Sequence, residues 1–156
     1  ISRFDIMIGR TLGGATVAIF QGIVVFIISL LVGFWPASWA LLPLTVVMMF
    51  LIAIFFTGLG TAIASVLENM QGFQLIMNFL VMPIFFLSGA LFPLKGLPEA
   101  LILVIRANPL AYGVDGLRST LMGGSYFGMG LDFLVLGIVC ILMIWLGSFM
   151  FSRIEL

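Results

Sequence analysis

Charged residues are absent from long stretches of this chain, and the points where they stop and restart divide it. Thr11 to Leu67 carries no charge and is long enough for two helical membrane crossings. One crossing takes roughly 20 mostly apolar residues to cover about 30 Å of hydrocarbon. Inside the stretch, Phe34-Trp35-Pro36-Ala37-Ser38-Trp39 reads as a turn flanked by tryptophans, the residue type that favours the membrane–water interface. Spans are therefore expected over about 15–34 and 41–66. Asn69 to Leu94 is the next charge-free run, with a span over about 73–92 bounded by Gly72 and Pro93. Phe133 to Ser152 supplies a fourth span, over about 131–152, ended by Arg153. The expected fold is all-α and integral to a membrane, one transmembrane domain over 1–156 without internal repeats.

Two segments fit neither span nor simple loop. In 1–12, Ser2 and Asp5 have the spacing of a capping box, with Asp in place of Glu. Phe4, Ile8 and Leu12 recur every fourth residue, and Arg3 and Arg10 lie together off that stripe. This predicts a short amphipathic helix at the membrane face, ahead of the first span. In 95–130, Pro98 and Glu99 suit a helix start and Arg106 its end. Asn108-Pro109 then reads as a cap and first residue of a second helix. That helix has Leu110, Val114, Leu117 and Leu121 on one face and Tyr112, Asp115 and Ser119 on another. Asp115 is within reach of Arg118 at i, i+3, which predicts an ion pair. Helices of about 10 and 14 residues are too short to cross. Length alone leaves a re-entrant hairpin and a flat interfacial pair equally open.

Composition agrees with a membrane setting. Hydrophobic residues make up 63% and charged residues 8%, against roughly 45–50% and about 25% in soluble domains. Six basic residues balance six acidic ones, so no basic field exists to attract nucleic acid. With no histidine and one cysteine, Cys140, disulfide frameworks, zinc sites and His-based triads are excluded. Cys140 sits in an apolar run and reads as a small hydrophobe. Phosphate-binding G-x-x-x-x-G-K-[ST] does not occur, and Lys95 is the only lysine. The three charge-free runs hold no Asp, Glu, Lys, Arg or His, so no catalytic role and no cofactor is expected of this chain. The first residue, Ile1, falls within an amphipathic pattern, which predicts that further N-terminal sequence precedes it.

Polar residues near the third span carry a weaker signal. Glu68, Gln71, Gln74 and Asn78 are spaced 3, 3 and 4 and make one face at the start of the third span. In lipid such a face turns toward other helices or toward a translocation path. Pro83, five residues past Asn78, removes a backbone donor and can kink the span. Gly58/Ala62 and Gly60/Ala64 are small-xxx-small pairs, which read as close helix packing.

The order of these parts is also familiar. An amphipathic helix, two spans and a Gln/Asn-bearing span precede Ser88-Gly89-Ala90-Leu91-Phe92-Pro93-Leu94-Lys95-Gly96-Leu97-Pro98. About ten residues later comes Asn108-Pro109-Leu110-Ala111-Tyr112-Gly113-Val114-Asp115-Gly116-Leu117-Arg118. Together these resemble the permease subunit of type-2 ATP-binding-cassette (ABC) exporters, above all the drug-resistance (daunorubicin-type) and nodulation-type branch of bacteria and archaea. The resemblance implies a multi-pass cell-membrane protein that pairs with a second permease subunit and with separate ATPase subunits holding ATP and Mg. This chain would supply the last four of six spans. Arg3, Phe4, Asp5 and Arg10 would lie on the cytoplasmic coupling helix that touches the ATPase, placing both ends of the chain in the cytoplasm. Asn108, Pro109, Tyr112, Asp115 and Arg118 would belong to an external re-entrant segment before the last span. The implied activity is export of a drug, lipid or polysaccharide-like substrate; a non-transport assembly module and an ATP-independent channel are the alternatives.

Overall fold

The computed structural model describes residues 3–67 and 69–151, the side chains of 3, 4, 6, 7, 148, 150 and 151 excepted. Ser2 of the expected capping box, Glu68 and Arg153 therefore lie outside the described residues. Six α-helices follow one another: α1 (Arg3–Leu31), α2 (Leu42–Ala64), α3 (Met70–Phe86), α4 (Glu99–Arg106), α5 (Pro109–Met122) and α6 (Met129–Phe151). A single 3-10 turn, Trp39–Leu41, leads into α2.

The first difference from expectation is in α1. The amphipathic segment and the first span form one 29-residue helix, about 43 Å long at 1.5 Å per residue. Nothing in its sequence breaks it, because it contains no proline and the positions beside Gly13 and Gly14 are helix-compatible. It ends where the chain first needs a left-handed residue. Gly33 has φ +102°, and the amides of Gly33 and Phe34 turn back to the carbonyls of Leu30 and Ser29, a Schellman ending.

By length and hydropathy Ile8–Leu31, Trp39–Ala64 and Met129–Gly147 can each cross a membrane. The expected third span is shorter than 73–92. α3 starts at Met70, capped by the Asn69 side chain, and stops at Phe86 after 17 residues. Pro83 lies in its last turn and the Ser88 hydroxyl donates to the Phe85 carbonyl at 2.6 Å. Gly89, at φ +78°, then reverses the chain. Phe92 is thus in a loop. The fourth helix starts earlier than its charge-free core, at Met129, and takes in Asp132.

α1, α2 and α6 pack on one another, and α5 packs on α2 and α6. Met48, Ile54 and Phe55 of α2 meet Leu136 and Cys140 of α6 in the main core. The Cys140 thiol donates to the Leu51 carbonyl at 3.0 Å. Small residues bring the backbones close, as expected for the Thr57–Ser65 stretch. A Cβ on Gly14 would lie 2.8 Å from the Thr57 hydroxyl, and one on Gly58 would lie 3.2 Å from the Met143 Cβ. α3 touches α2 only lightly and has no buried residue. α4 and α5 meet at 91°, with α5 sunk into the bundle and α4 at its edge.

Two glycines on α5 set how near it comes to α2. A Cβ on Gly113 would lie 2.7 Å from Cγ1 of Ile52, a stiff β-branched side chain. A Cβ on Gly116 would meet the methyl end of Met48, which is flexible. Gly113→Ala should therefore destabilise the protein by about 1–3 kcal/mol, and Gly116→Ala by less. Thermal unfolding in detergent, read by thiol-reactive dye uptake at the buried Cys140, checks the order. Equal melting temperatures for both variants and the parent would contradict the close α2–α5 approach.

Candidate functional site

The expected site residues fall into three groups. At the N-terminal end Asp5 and Arg10 are exposed, while the Arg3 and Phe4 side chains lie outside the described residues. On α3 Gln71, Gln74, Asn78 and Pro83 are all exposed, so this polar face packs on no other helix of the chain. Asn108, Pro109, Tyr112, Asp115 and Arg118 are the group that the fold brings together, on and around α5.

Each polar member of that group satisfies backbone belonging to another segment. Asn108 caps α5 by accepting from the Leu110 amide at 3.0 Å. Its side-chain nitrogen donates 2.7 Å to the Ile84 carbonyl near the end of α3, one of the carbonyls that a helix end leaves without an intrahelical partner. Pro109 takes the first helical position, where no amide donor is needed. The Tyr112 hydroxyl donates 2.9 Å to the Arg106 carbonyl, the last residue of α4, and so holds the right-angle corner. Its ring stacks on Phe127 at 4.7 Å between centroids.

Asp115 and Arg118 do not pair with each other, contrary to expectation. Asp115 is 1% exposed. Its carboxylate accepts from the Ser125 hydroxyl at 2.9 Å and from the amides of Tyr126 and Phe127 at 2.8 Å each. The Ser125 hydroxyl oxygen also accepts from the Gly128 amide at 2.7 Å. Asp115 thus organises the turn that launches α6. Arg118 instead donates 2.8 Å to the Gly89 carbonyl in the reversal after α3. Local i, i+3 spacing made the ion pair attractive, but three donors from one loop fill a carboxylate's acceptor sites better than one guanidinium across a helix turn.

Sequence reasoning missed Asp132. It lies in the first turn of α6, fully buried, with neither carboxylate oxygen hydrogen-bonded among the described residues. The first turn favours an acidic side chain through the helix dipole. Gly116 makes room for it, since a Cβ there would come within 3.4 Å of the Asp132 Cβ. A signal existed: an Asp just after the glycine pattern Gly128-Met129-Gly130 and just before an apolar run marks a helix start. The expected span over about 131–152 includes this position, but a search for chemistry confined to charge-free runs passes over it.

Comparison with known proteins follows the same outline. A family model described as ABC-2 type transporter matches residues 1–122. Nodulation protein J of Rhizobium leguminosarum bv. viciae is 27% identical over 143 residues, 90% of this chain and 52% of that protein. Nodulation protein J of Rhizobium meliloti is 27% identical over 136 residues, covering 87% and 50%. The inner membrane transport permease YadH of Escherichia coli K12 is 30% identical over 119 residues, covering 76% and 45%. The chain spans about half the length of the curated relatives it matches. No solved structure matches it significantly.

Removing the Asp115 carboxylate takes the acceptor from the partly buried amides of Tyr126 and Phe127, at up to about 1–3 kcal/mol for each to the extent that water cannot replace it. Asp115→Ala should lower stability strongly and Arg118→Ala should lower it less. Because the two bind different loops, the double variant should lose the sum of the single effects to within about 0.5 kcal/mol. A denaturant or thermal double-mutant cycle measures this, and recovery of stability in the double variant would show that the two side chains pair after all.

Proposed function

This chain belongs to the ABC-2 type transporter family, and on that premise we propose that it forms the membrane-spanning part of an ATP-driven exporter permease. Its ATPase is a separate subunit, which binds the ATP and Mg, and a second permease subunit completes the path. The substrate is a drug, lipid or polysaccharide-like compound. The protein sits in the cell membrane of a bacterium or archaeon, with both ends of the chain cytoplasmic and the α4–α5 corner external and re-entrant.

The observation that carries this reading is the continuity of α1. Asp5 and Arg10 are exposed on the same unbroken helix that packs against α2 and α6. A 29-residue helix exceeds a roughly 30 Å hydrocarbon layer by several residues. A partner that moves Arg3, Phe4, Asp5 and Arg10 therefore moves a stiff rod embedded in the bundle. Phe4 serves as the apolar knob, and the arginines pair with acidic groups on the ATPase. α3 exposes Gln71, Gln74 and Asn78 and packs lightly. That face, with Glu68 beside it in sequence, suits the boundary with the second permease subunit, where the path would run.

The rod can be broken without touching the docking residues. A Cβ on Gly13 meets nothing within 4 Å, so proline there acts through the helix, costing about 3 kcal/mol and a backbone hydrogen bond. In the full-length protein Gly13→Pro should keep the ATPase bound yet lose most ATP-driven export. Phe4→Ala combined with Arg3→Glu should lose both. Co-purification in mild detergent with a vanadate-sensitive ATPase assay, beside vesicle transport, separates the two. Normal export by both variants would contradict the coupling role. Absence of any ATPase partner would favour an assembly module, and conduction without ATP would favour a channel.

A further inference from the structure

Two cavities of opposite character meet at Arg118. The larger, about 740 Å³, is a groove between α1, α2 and α5. Its walls are almost wholly apolar, built from Phe26, Val46, Met49, Leu117 and Leu121, with Arg118 at its edge. The smaller, about 430 Å³, is lined by the loop after α3 and the loop before α6, and it contains Lys95, Arg118 and Asp115. We infer that the two together hold one anionic phospholipid from the bilayer, its phosphate between Arg118 and Lys95 and an acyl chain along the groove.

Four features of the geometry favour this ligand. The groove follows α1 from Ala18 to Ser29, about 17 Å of helix and therefore the shape of a chain rather than of a compact solute. Its charged end lies at the level of the α1–α2 loop, because the Ala37 amide donates 2.8 Å to the Leu121 carbonyl, one turn beyond Arg118. That loop carries exposed Trp35 and Trp39, the residue type that marks headgroup depth. A head at Arg118 with a tail down α1 thus has the orientation of a bilayer lipid. The cations are also available. A guanidinium has five N–H donors, and among the described residues Arg118 uses one nitrogen, for Gly89. Lys95 is exposed and has no partner among the described residues. The one anion in the polar cavity, Asp115, is buried and turned into its own loop, leaving a net positive charge for a phosphate.

This inference goes beyond export and does not depend on it, since a lipid resident in the groove is measured without ATP. The test uses the full-length protein in phosphatidylcholine nanodiscs doped with phosphatidylglycerol that carries a photoreactive acyl chain, with adducts mapped by mass spectrometry. Adducts should concentrate on Ala18–Ser29 and Leu117–Met122. The same photoreactive chain on phosphatidylcholine, whose choline cation cancels the headgroup charge and is repelled by Arg118 and Lys95, should label those segments about tenfold less. Arg118→Gln should bring phosphatidylglycerol down to the phosphatidylcholine level. Ala18→Phe, which fills the groove far from the Gly89 tether, should abolish labelling there while leaving it on the Trp145 face of α6. Equal labelling by the two lipids, adducts spread evenly over all lipid-facing helices, or groove labelling unaffected by Ala18→Phe would each overturn the proposal. So would a photo-crosslink from the groove to another protein segment in place of lipid.

Discussion

In an apolar medium a backbone amide or carbonyl without a partner costs several kcal/mol, and every departure from helix creates such groups. Three of the places where the chain leaves helix lie after α3, at the α4–α5 corner and before α6. All three depend on α5. Asn108 reaches the end of α3, Tyr112 the end of α4, Arg118 the reversal at Gly89, and Asp115 the turn at Ser125–Phe127. Four side chains within three turns of one helix thus do for irregular backbone what water does in a soluble protein. The requirement explains why α5 is the most buried of the short helices, and why Gly113 and Gly116 are needed to seat it against α2 and α6.

In the proposed mechanism the molecule has a fixed part and a movable part. α2, α5 and α6 form a unit locked by core packing and by the α5 hydrogen bonds. α1 packs on that unit as one rod whose N-terminal end is exposed. α3 is tied at its end by Asn108 and otherwise packs lightly. A membrane protein of the ABC-2 type transporter family needs elements that transmit a push and elements that part to make a route. In the proposed mechanism α1 supplies the first and the exposed face of α3 the second.

The long helices were legible in the sequence because hydropathy over some twenty residues reports a property of the whole segment. Charge gaps placed α2, α6 and the end of α1 to within a few residues, but not the start of α1, and Trp35 and Trp39 marked the turn between the first two. The Asn108-Pro109 start of α5 was legible too, because capping is chemistry of adjacent residues. What could not be read were outcomes of competition between distant groups. The i, i+3 partner of Asp115 was visible, but the three donors of the 125–127 loop, ten and more residues away, were not. Phe92 looked apolar enough to be in a span, yet Pro83, Ser88 and Gly89 closed the helix first. The break expected near Leu12 reflected a change of composition, and composition changes do not interrupt a helix that lacks a breaker. Asp132 went unnoticed because only charge-free runs were searched for chemistry, although the first helical turn is where an acidic residue is most welcome.

The claim on which all of this rests is that α5 side chains, and not solvent, satisfy the loop before α6. Amide hydrogen exchange of the full-length protein in nanodiscs tests it most directly. Tyr126 and Phe127 lie in a loop, yet their amides should exchange at rates close to those of α6, and Asp115→Ala should release them to the rate of the Gly33–Ser38 loop. Fast exchange at Tyr126 and Phe127 in the unmutated protein would contradict the account.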